Sequence, residues 1–374
     1  MNVPKDHMRF FDSRAAYMMF ARSTNEKESV AARVGRELSQ VTPGERSLRI
    51  FDAGMGDGSV LAQLMSELHQ SFTHIPWLVV GKEISIEDVR QALERIPDRL
   101  AEHPELVFVV TNMRYSEAPT LTPTELPSEG ITWRDVPLQG SAAHDFAQQI
   151  RALYPTLTHD WEVRTSEVTR NPLYVRPSVL VLYRQDREFL LRPVVPKPGE
   201  GVSSYNLVIA SQTYRARTSA ERKAQMVLAP LAKALGAGGR LVGVHSLGDD
   251  PGLQIIRGVW PGEDPFQTTR HELMKVVATE LDDDEFLLEA GSDEESVFRF
   301  HLHSMPTEER EHIGTPSILA AWNAAAYVAQ IDERRLSDAT ASGAYIKPTA
   351  EVLREHDGLW FNNESYVISR RSGP

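Results

Sequence analysis

The chain has 374 residues, 41% of them apolar and 25% charged, with a net charge of −12 and no cysteine. This length suits two domains, or one domain with a large elaboration, and the composition is that of a globular chain with a sizeable core. The acidic balance weighs against a nucleic-acid partner, which needs a basic surface to neutralise phosphates, and the lack of cysteine excludes disulfides, thiolate metal sites and cysteine nucleophiles.

Residues 1–20 mix charge and aromatics without an apolar signal region, and no apolar run reaches the roughly 20 residues of a membrane helix. The expectation is a cytoplasmic protein with no membrane partner. Residues 14–40 are predicted to be helical, interrupted at Ser23-Thr24-Asn25. A short apolar strand, Leu48–Ala53, enters a glycine-rich turn, and the turn opens a helix at Ser59–Met65. A second strand (Trp77–Val80, ending at Glu83), a second helix (Ile86–Ile96) and a third strand (Leu106–Val110) follow. This alternation predicts a doubly wound, mostly parallel α/β sheet.

From about residue 117 to 202 the alternation breaks into a Pro-, Thr- and Ser-rich stretch. It has one plausible helix (Ala142–Leu153) and an expected hairpin, Ser178–Tyr183 turning at Gln185-Asp186 into Glu188–Leu191. The expected division is therefore residues 1–116, an inserted α+β subdomain at 117–202, and residues 203–374. The main pattern resumes with a strand at Tyr205–Ala210. A helix at Ala220–Leu235, ended by the glycines of 236–239, and a strand at Arg240–His245 come next. Helices are expected at Thr268–Leu281 and Ser317–Ile331, and late strands at Val297–His303 and Glu364–Ser369, closing one sheet edge.

Four elements in this frame bear on ligand binding. The first strand ends in Asp52-Ala53-Gly54-Met55-Gly56-Asp57-Gly58, where glycine lets the backbone turn sharply and approach a ligand closely. In an open parallel sheet the ligand sits beyond the carboxyl ends of the strands, where strand order reverses. Glu83 lies 29 positions after Gly54, at the end of the second strand. It is placed to accept ribose hydroxyls, or is a surface acid. Thr111-Asn112-Met113 is placed to meet an adenine, or is a polar loop. Ser211-Gln212-Thr213 follows the fourth strand. A dinucleotide turn of the form G-x-G-x-x-G presents amides to a pyrophosphate. Asp57 inside this turn would repel a pyrophosphate and attract an ammonium group. That charge favours S-adenosylmethionine over a nicotinamide dinucleotide.

The turn resembles motif I of class I S-adenosylmethionine-dependent methyltransferases, D-x-G-x-G-x-G, and the four elements occur in the same order. The resemblance implies a seven-stranded Rossmann-like sheet, with Asp52, Gly54, Gly56, Asp57, Gly58, Glu83, Asn112, Met113 and Ser211 at the cofactor. Two terminal segments, Tyr17-Met18-Met19-Phe20-Ala21-Arg22-Ser23-Thr24-Asn25-Glu26 and Leu359-Trp360-Phe361-Asn362-Asn363-Glu364, look like those of the histamine N-methyltransferase group. That likeness implies that Glu26, Gln212 and Asn363 bind the methyl acceptor, although Gln212 also reads as a strand-end cap and Asn362-Asn363 as a turn. It covers about residues 14–116, 203–250 and 317–369, and not the insertion, which leaves histamine itself out of the expectation.

What the resemblance implies is a methyltransferase acting on a small molecule at nitrogen by in-line displacement. The pocket would have aromatic walls from Tyr17, Phe20, Tyr214 and Trp360. Two alternatives stand beside it: a protein or RNA methyltransferase that uses the insertion for recognition, and a catalytically silent binding protein of the same fold. The insertion could also hold a homodimer together. His301 and His303 share a strand face without a third ligand nearby, so no metal is expected. His245 is either a general base or a packed histidine. Asn171-Pro172-Leu173-Tyr174 lacks the preceding buried strand that an Asn-Pro-Pro-Tyr motif needs.

Overall fold

The computed structural model describes residues 14–124, 130–167, 171–303 and 313–372. Residues 1–13 of the stretch read as lacking a signal region fall outside these, as do residues 168–170 just before Asn171. Twelve strands are described: β1 (Leu48–Asp52), β2 (Trp77–Lys82), β3 (Leu106–Thr111), β4 (Thr132–Leu138), β5 (Val163–Thr165), β6 (Pro172–Tyr174), β7 (Ser178–Arg184), β8 (Tyr205–Ser211), β9 (Leu235–Ser246), β10 (Phe286–Glu289), β11 (Val297–His301) and β12 (Trp360–Arg370). Ten of them form one sheet in the order β10-β12-β9-β8-β1-β2-β3-β7-β4, with β11 also on β12, and β5 and β6 make a separate ribbon.

The five central strands, β9-β8-β1-β2-β3, run parallel. Their sequences are continuous apolar runs because both faces are covered. Alternate residues feed the two sides: Phe51, Val80 and Val109 enter one core, and Ile50, Val79 and Phe108 the other. Four early helices frame the strand ends: α1 (Arg14–Ser23), α2 (Glu26–Gly35), α3 (Ser59–Ser71) and α4 (Ile86–Glu102). The break expected at Ser23-Thr24-Asn25 separates α1 from α2. There, Asn25 N–H donates to His301 O at 3.1 Å and Thr24 bridges to Leu302. No described helix is long and apolar enough to cross a membrane.

The structure corrects several expectations. The sheet has ten strands rather than seven, because the 117–202 insertion lends it two and β10 adds a third. β7 lies antiparallel on β3, and β4 parallel on β7. β4 (Thr-Trp-Arg-Asp-Val-Pro-Leu) was not legible as a strand. It is an edge strand, where Pro137 and charged residues are tolerated. The hairpin expected after Tyr183 is absent: β7 runs through a short turn at Gln185–Arg187 into a helix, Glu188–Leu191. Its ladder partners come from β3 and β4 instead. The helix expected at Ala220–Leu235 holds a π-helical turn at Ala224–Leu228 just before Pro230, whose missing N–H removes a ladder bond. The glycines after it belong to β9. β11 and β12 do pair antiparallel, with Phe300 opposite Phe361, but three helices separate them in the chain.

Candidate active site

The β1 turn is held by its own polar groups. Asp52, buried at the strand end, accepts from Gly54 N–H at 3.1 Å. Burial pushes its carboxyl up to about 7, against the opposing pull of that N–H and Lys27. Gly56 and Gly58 have φ of +54° and +74°, values that disfavour any side chain. A Cβ on Gly58 would also lie 2.8 Å from Ala92 Cβ, so this glycine lets α4 close onto the turn. Glu83 ties the two strand ends together. One of its oxygens accepts from Gly56 N–H at 3.0 Å, the other from the N–H groups of Ile84 and Ser85 at 2.7 and 2.8 Å.

These groups open onto a cavity of about 310 Å³ at the carboxyl ends of the parallel strands. Asp52, Gly54, Gly56, Glu83 and Ser211 line it, as do Tyr17 and Phe20. Phe20 stacks on Tyr327 with ring centroids 4.6 Å apart. Tyr115 closes another side, donating to Thr213 O at 2.7 Å, with Lys82 Nζ 4.6 Å from its ring centroid.

Four residues expected at the cofactor are not among those lining this cavity. Asp57 turns away from it, accepting from Ser59 N–H and Oγ at 3.1 and 2.8 Å and facing Arg95 at 3.5 Å. Burial opposes its charge, but Lys27, Ser59 and Arg95 outweigh burial and hold it below the usual carboxylate range. A carboxylate so engaged does not need a ligand ammonium. Gly58 packs on α4. Asn112 clasps the insertion, accepting from Ser178 N–H at 2.8 Å and donating to Arg176 O at 3.0 Å. Met113 is buried in the core beside Ala118 and Leu121.

The three residues expected at the acceptor do come together. Gln212 Nε2 lies 3.4 Å from Glu26 Oε1, 3.4 Å from Asn363 Oδ1 and 3.2 Å from Ser246 Oγ. Gln212 itself sits at φ +50°, held by its N–H on Val244 O at 2.9 Å. Glu26 and Gln212 line the cavity, whereas Asn363 is fully buried behind Gln212. Asn363 is not among the residues lining the cavity. Burial raises the Glu26 carboxyl, with Lys27, Gln212 and Asn363 pulling the other way.

Neither remaining aromatic candidate is in the wall. Trp360 meets Arg299, His301 and His356 away from the cavity. Tyr214 is half-buried beside Gln212 and bonds both His245 Nδ1 (2.8 Å) and Tyr366 Oη (2.7 Å). His245 Nε2 meets Glu364 at 2.7 Å, and Arg270 Nη1 meets the other Glu364 oxygen at 2.9 Å. Both histidine nitrogens are thus occupied within a packed network. Among the described residues no group of three or more His, Asp or Glu side chains could hold a metal. Lys27, Lys82, Tyr115 and Tyr327 line the cavity without having been singled out from sequence. Only Lys27 carried a signal, its place next to Glu26 at the start of α2.

No protein-family profile and no curated protein matches this sequence. Solved structures similar to it are methyltransferases at low identity. Loganic acid methyltransferase with S-adenosylhomocysteine (SAH) is 10% identical, with 99% of this chain and 98% of that one covered and a TM-score of 0.42. Geranyl diphosphate methyltransferase with GPP and sinefungin is 14% identical, covering 91% and 78%, with a TM-score of 0.33. Phosphoethanolamine N-methyltransferase 2 of Haemonchus contortus with S-adenosyl-L-methionine is 10% identical, covering 99% and 62%, at 0.34.

Proposed function

We propose that this chain is an S-adenosylmethionine-dependent methyltransferase acting on a small molecule at nitrogen. One observation carries the reading. A single cavity at the carboxyl ends of five parallel strands is lined at one part by the glycine turn with Glu83, and at another by the buried Glu26 with the exposed Gln212 bonded to it. The residues fit the cofactor. Gly56, at φ +54°, brings bare backbone to the cavity. Glu83, fixed by three backbone N–H groups, keeps one of its roughly four acceptor sites, on Oε2, for a ribose hydroxyl. Residues 1–116 and 203–374 are the two halves of the catalytic core, with 117–202 inserted between them.

When bound, S-adenosylmethionine supplies an electrophilic methyl group on a sulfonium, so the protein's work is alignment and exclusion of water. Glu26 serves as acceptor for the N–H of an incoming amine. Its raised pKa reflects a buried charge that a cationic or hydrogen-bonding partner would stabilise. Gln212 fixes the Glu26 oxygen, and Asn363 fixes Gln212. Phe20 and Tyr327, stacked on each other, supply an aromatic wall of the same cavity.

Calorimetry with SAH tests the cofactor, and lack of binding at millimolar concentration refutes the reading. Glu83→Ala weakens that binding strongly. Gln212→Ala spares cofactor affinity and lowers turnover of the acceptor found by screening metabolites with labelled cofactor. A product whose methyl group is released by mild base is an ester, and refutes transfer to nitrogen.

A further inference from the structure

Glu26 and Lys27 are neighbours on the first turn of α2, but their side chains serve different parts of the cavity. Glu26 reaches Gln212. Lys27 reaches the glycine turn: its Nζ is 4.0 Å from the point where a Cβ on Gly56 would stand, and Tyr17 Oη is 3.1 Å from the same point. The Tyr17 ring lies beneath the ammonium, its centroid 5.4 Å from Nζ. Two donors on different helices thus converge where the backbone is bare.

The ammonium has no close counter-ion. Among the described residues Lys27 forms no salt bridge of 4.0 Å or less. The acids around it are engaged elsewhere: Asp57 with Ser59 and Arg95, Glu26 with Gln212, Asp52 with Gly54 N–H, and Glu83 with three backbone N–H groups. Burial disfavours the charge, yet the groups around it, the Glu26 and Asp57 carboxylates among them, hold Lys27 above the usual lysine range. A partly buried cation with only distant acids is stabilised by an anion placed directly on it.

We propose that Lys27, with Tyr17 Oη, receives the carboxylate at the amino-acid end of S-adenosylmethionine. This rests on the methyltransferase reading and adds the polarity of binding: the amino-acid end lies under α1 and α2, against Gly56, and the ribose lies toward Glu83. The start of α2 then divides the cavity, with Lys27 turned to the cofactor and Glu26 to the acceptor. Discrimination between the cofactor and adenosine thioethers without an amino acid would reside in Lys27.

The test is calorimetry on the full chain with two ligands, SAH and 5′-methylthioadenosine, which lacks the amino-acid end. In wild type the first binds more tightly. Lys27→Met weakens SAH on the order of 10- to 100-fold, the worth of a charge-assisted hydrogen bond, and leaves methylthioadenosine unchanged. Lys27→Arg restores most of the loss. Decarboxylated S-adenosylmethionine, offered to wild type, is weakened by a similar factor relative to the intact cofactor, a measurement that needs no variant. The proposal is overturned if Lys27→Met lowers both affinities equally, which marks a structural role. Unchanged SAH affinity overturns it as well, and assigns Lys27 elsewhere. If wild type binds neither ligand, the methyltransferase reading itself fails.

Discussion

Two faces of one strand show how differently this protein treats buried acids. On β12, Asn363 and Ser365 point toward α2, where Asn363 meets Gln212 and Ser365 accepts from Arg33 at 2.7 Å. Glu364 and Tyr366 point the opposite way, as the pleat requires. Register sets Asn363 opposite Ser246 and Glu364 opposite His245. On the Glu364 face the acid is fully partnered. It meets His245 and accepts from both the Arg270 backbone and its guanidinium. Burial raises its pKa, but His245 and Arg270 outweigh burial and hold the carboxyl below its usual range. On the α2 face Glu26 has only amide donors at long range, and its carboxyl is raised. The same side-chain chemistry is a structural tie where cations bond it directly and, on the function proposed above, a binding group where only amides do.

The contrast predicts different responses to neutralising each acid. Glu364→Gln removes the buried charge partner of Arg270, leaving it only the exposed Asp293, and destabilises the fold by about 3–5 kcal/mol in urea unfolding. A loss below about 1 kcal/mol would erase the distinction. Asp52→Asn acts in the opposite direction, with a pH signature. The folded chain keeps a proton on Asp52 up to about pH 7, whereas an ordinary unfolded Asp loses it near pH 4. Stability from this group is therefore full below about pH 4 and declines as pH rises toward 7, by at most about 1.4 kcal/mol per unit. The Asn variant lacks that slope, so it is more stable than wild type at pH 8 and nearly equal at pH 4. Melting temperatures across that range check it, and parallel curves would sink the assignment. Glu26→Gln perturbs stability least, within about 1 kcal/mol, because it removes a poorly partnered charge. Its effect appears instead in acceptor affinity, with cofactor binding intact.

Much of the central frame was legible in the sequence. The turn from Asp52 to Gly58, the strands β1, β2, β3, β8 and β9, and Glu83 at a strand end follow from local rules. Apolar runs bounded by glycine and helix signals leave few other readings. The segments carrying Glu26, Gln212 and Asn363 were also legible, through a resemblance, and the fold places Glu26 and Asn363 each 3.4 Å from Gln212. Local sequence could not say which way a side chain turns. Asp57 was read as a ligand-facing acid, but Ser59 two positions on captures it. Asn112 was read as an adenine contact, but Ser178, 66 positions away, takes its carboxamide.

The insertion shows the same limit at larger scale. Its strands β4 and β7 extend the sheet only because β3 offers an unpaired edge, a fact held in no window of sequence. Tyr327 reaches the cavity from a helix more than 250 positions beyond the glycine turn, and its stacking on Phe20 joins the two ends of the chain. By itself the sequence determined the alternating strand–helix frame and the bare-backbone turn, because periodicity and glycine act over a few residues. The tertiary structure alone decided which acids face the cavity and which are neutralised. Burial and long-range partners set the state of a carboxylate, and both come from segments distant along the chain.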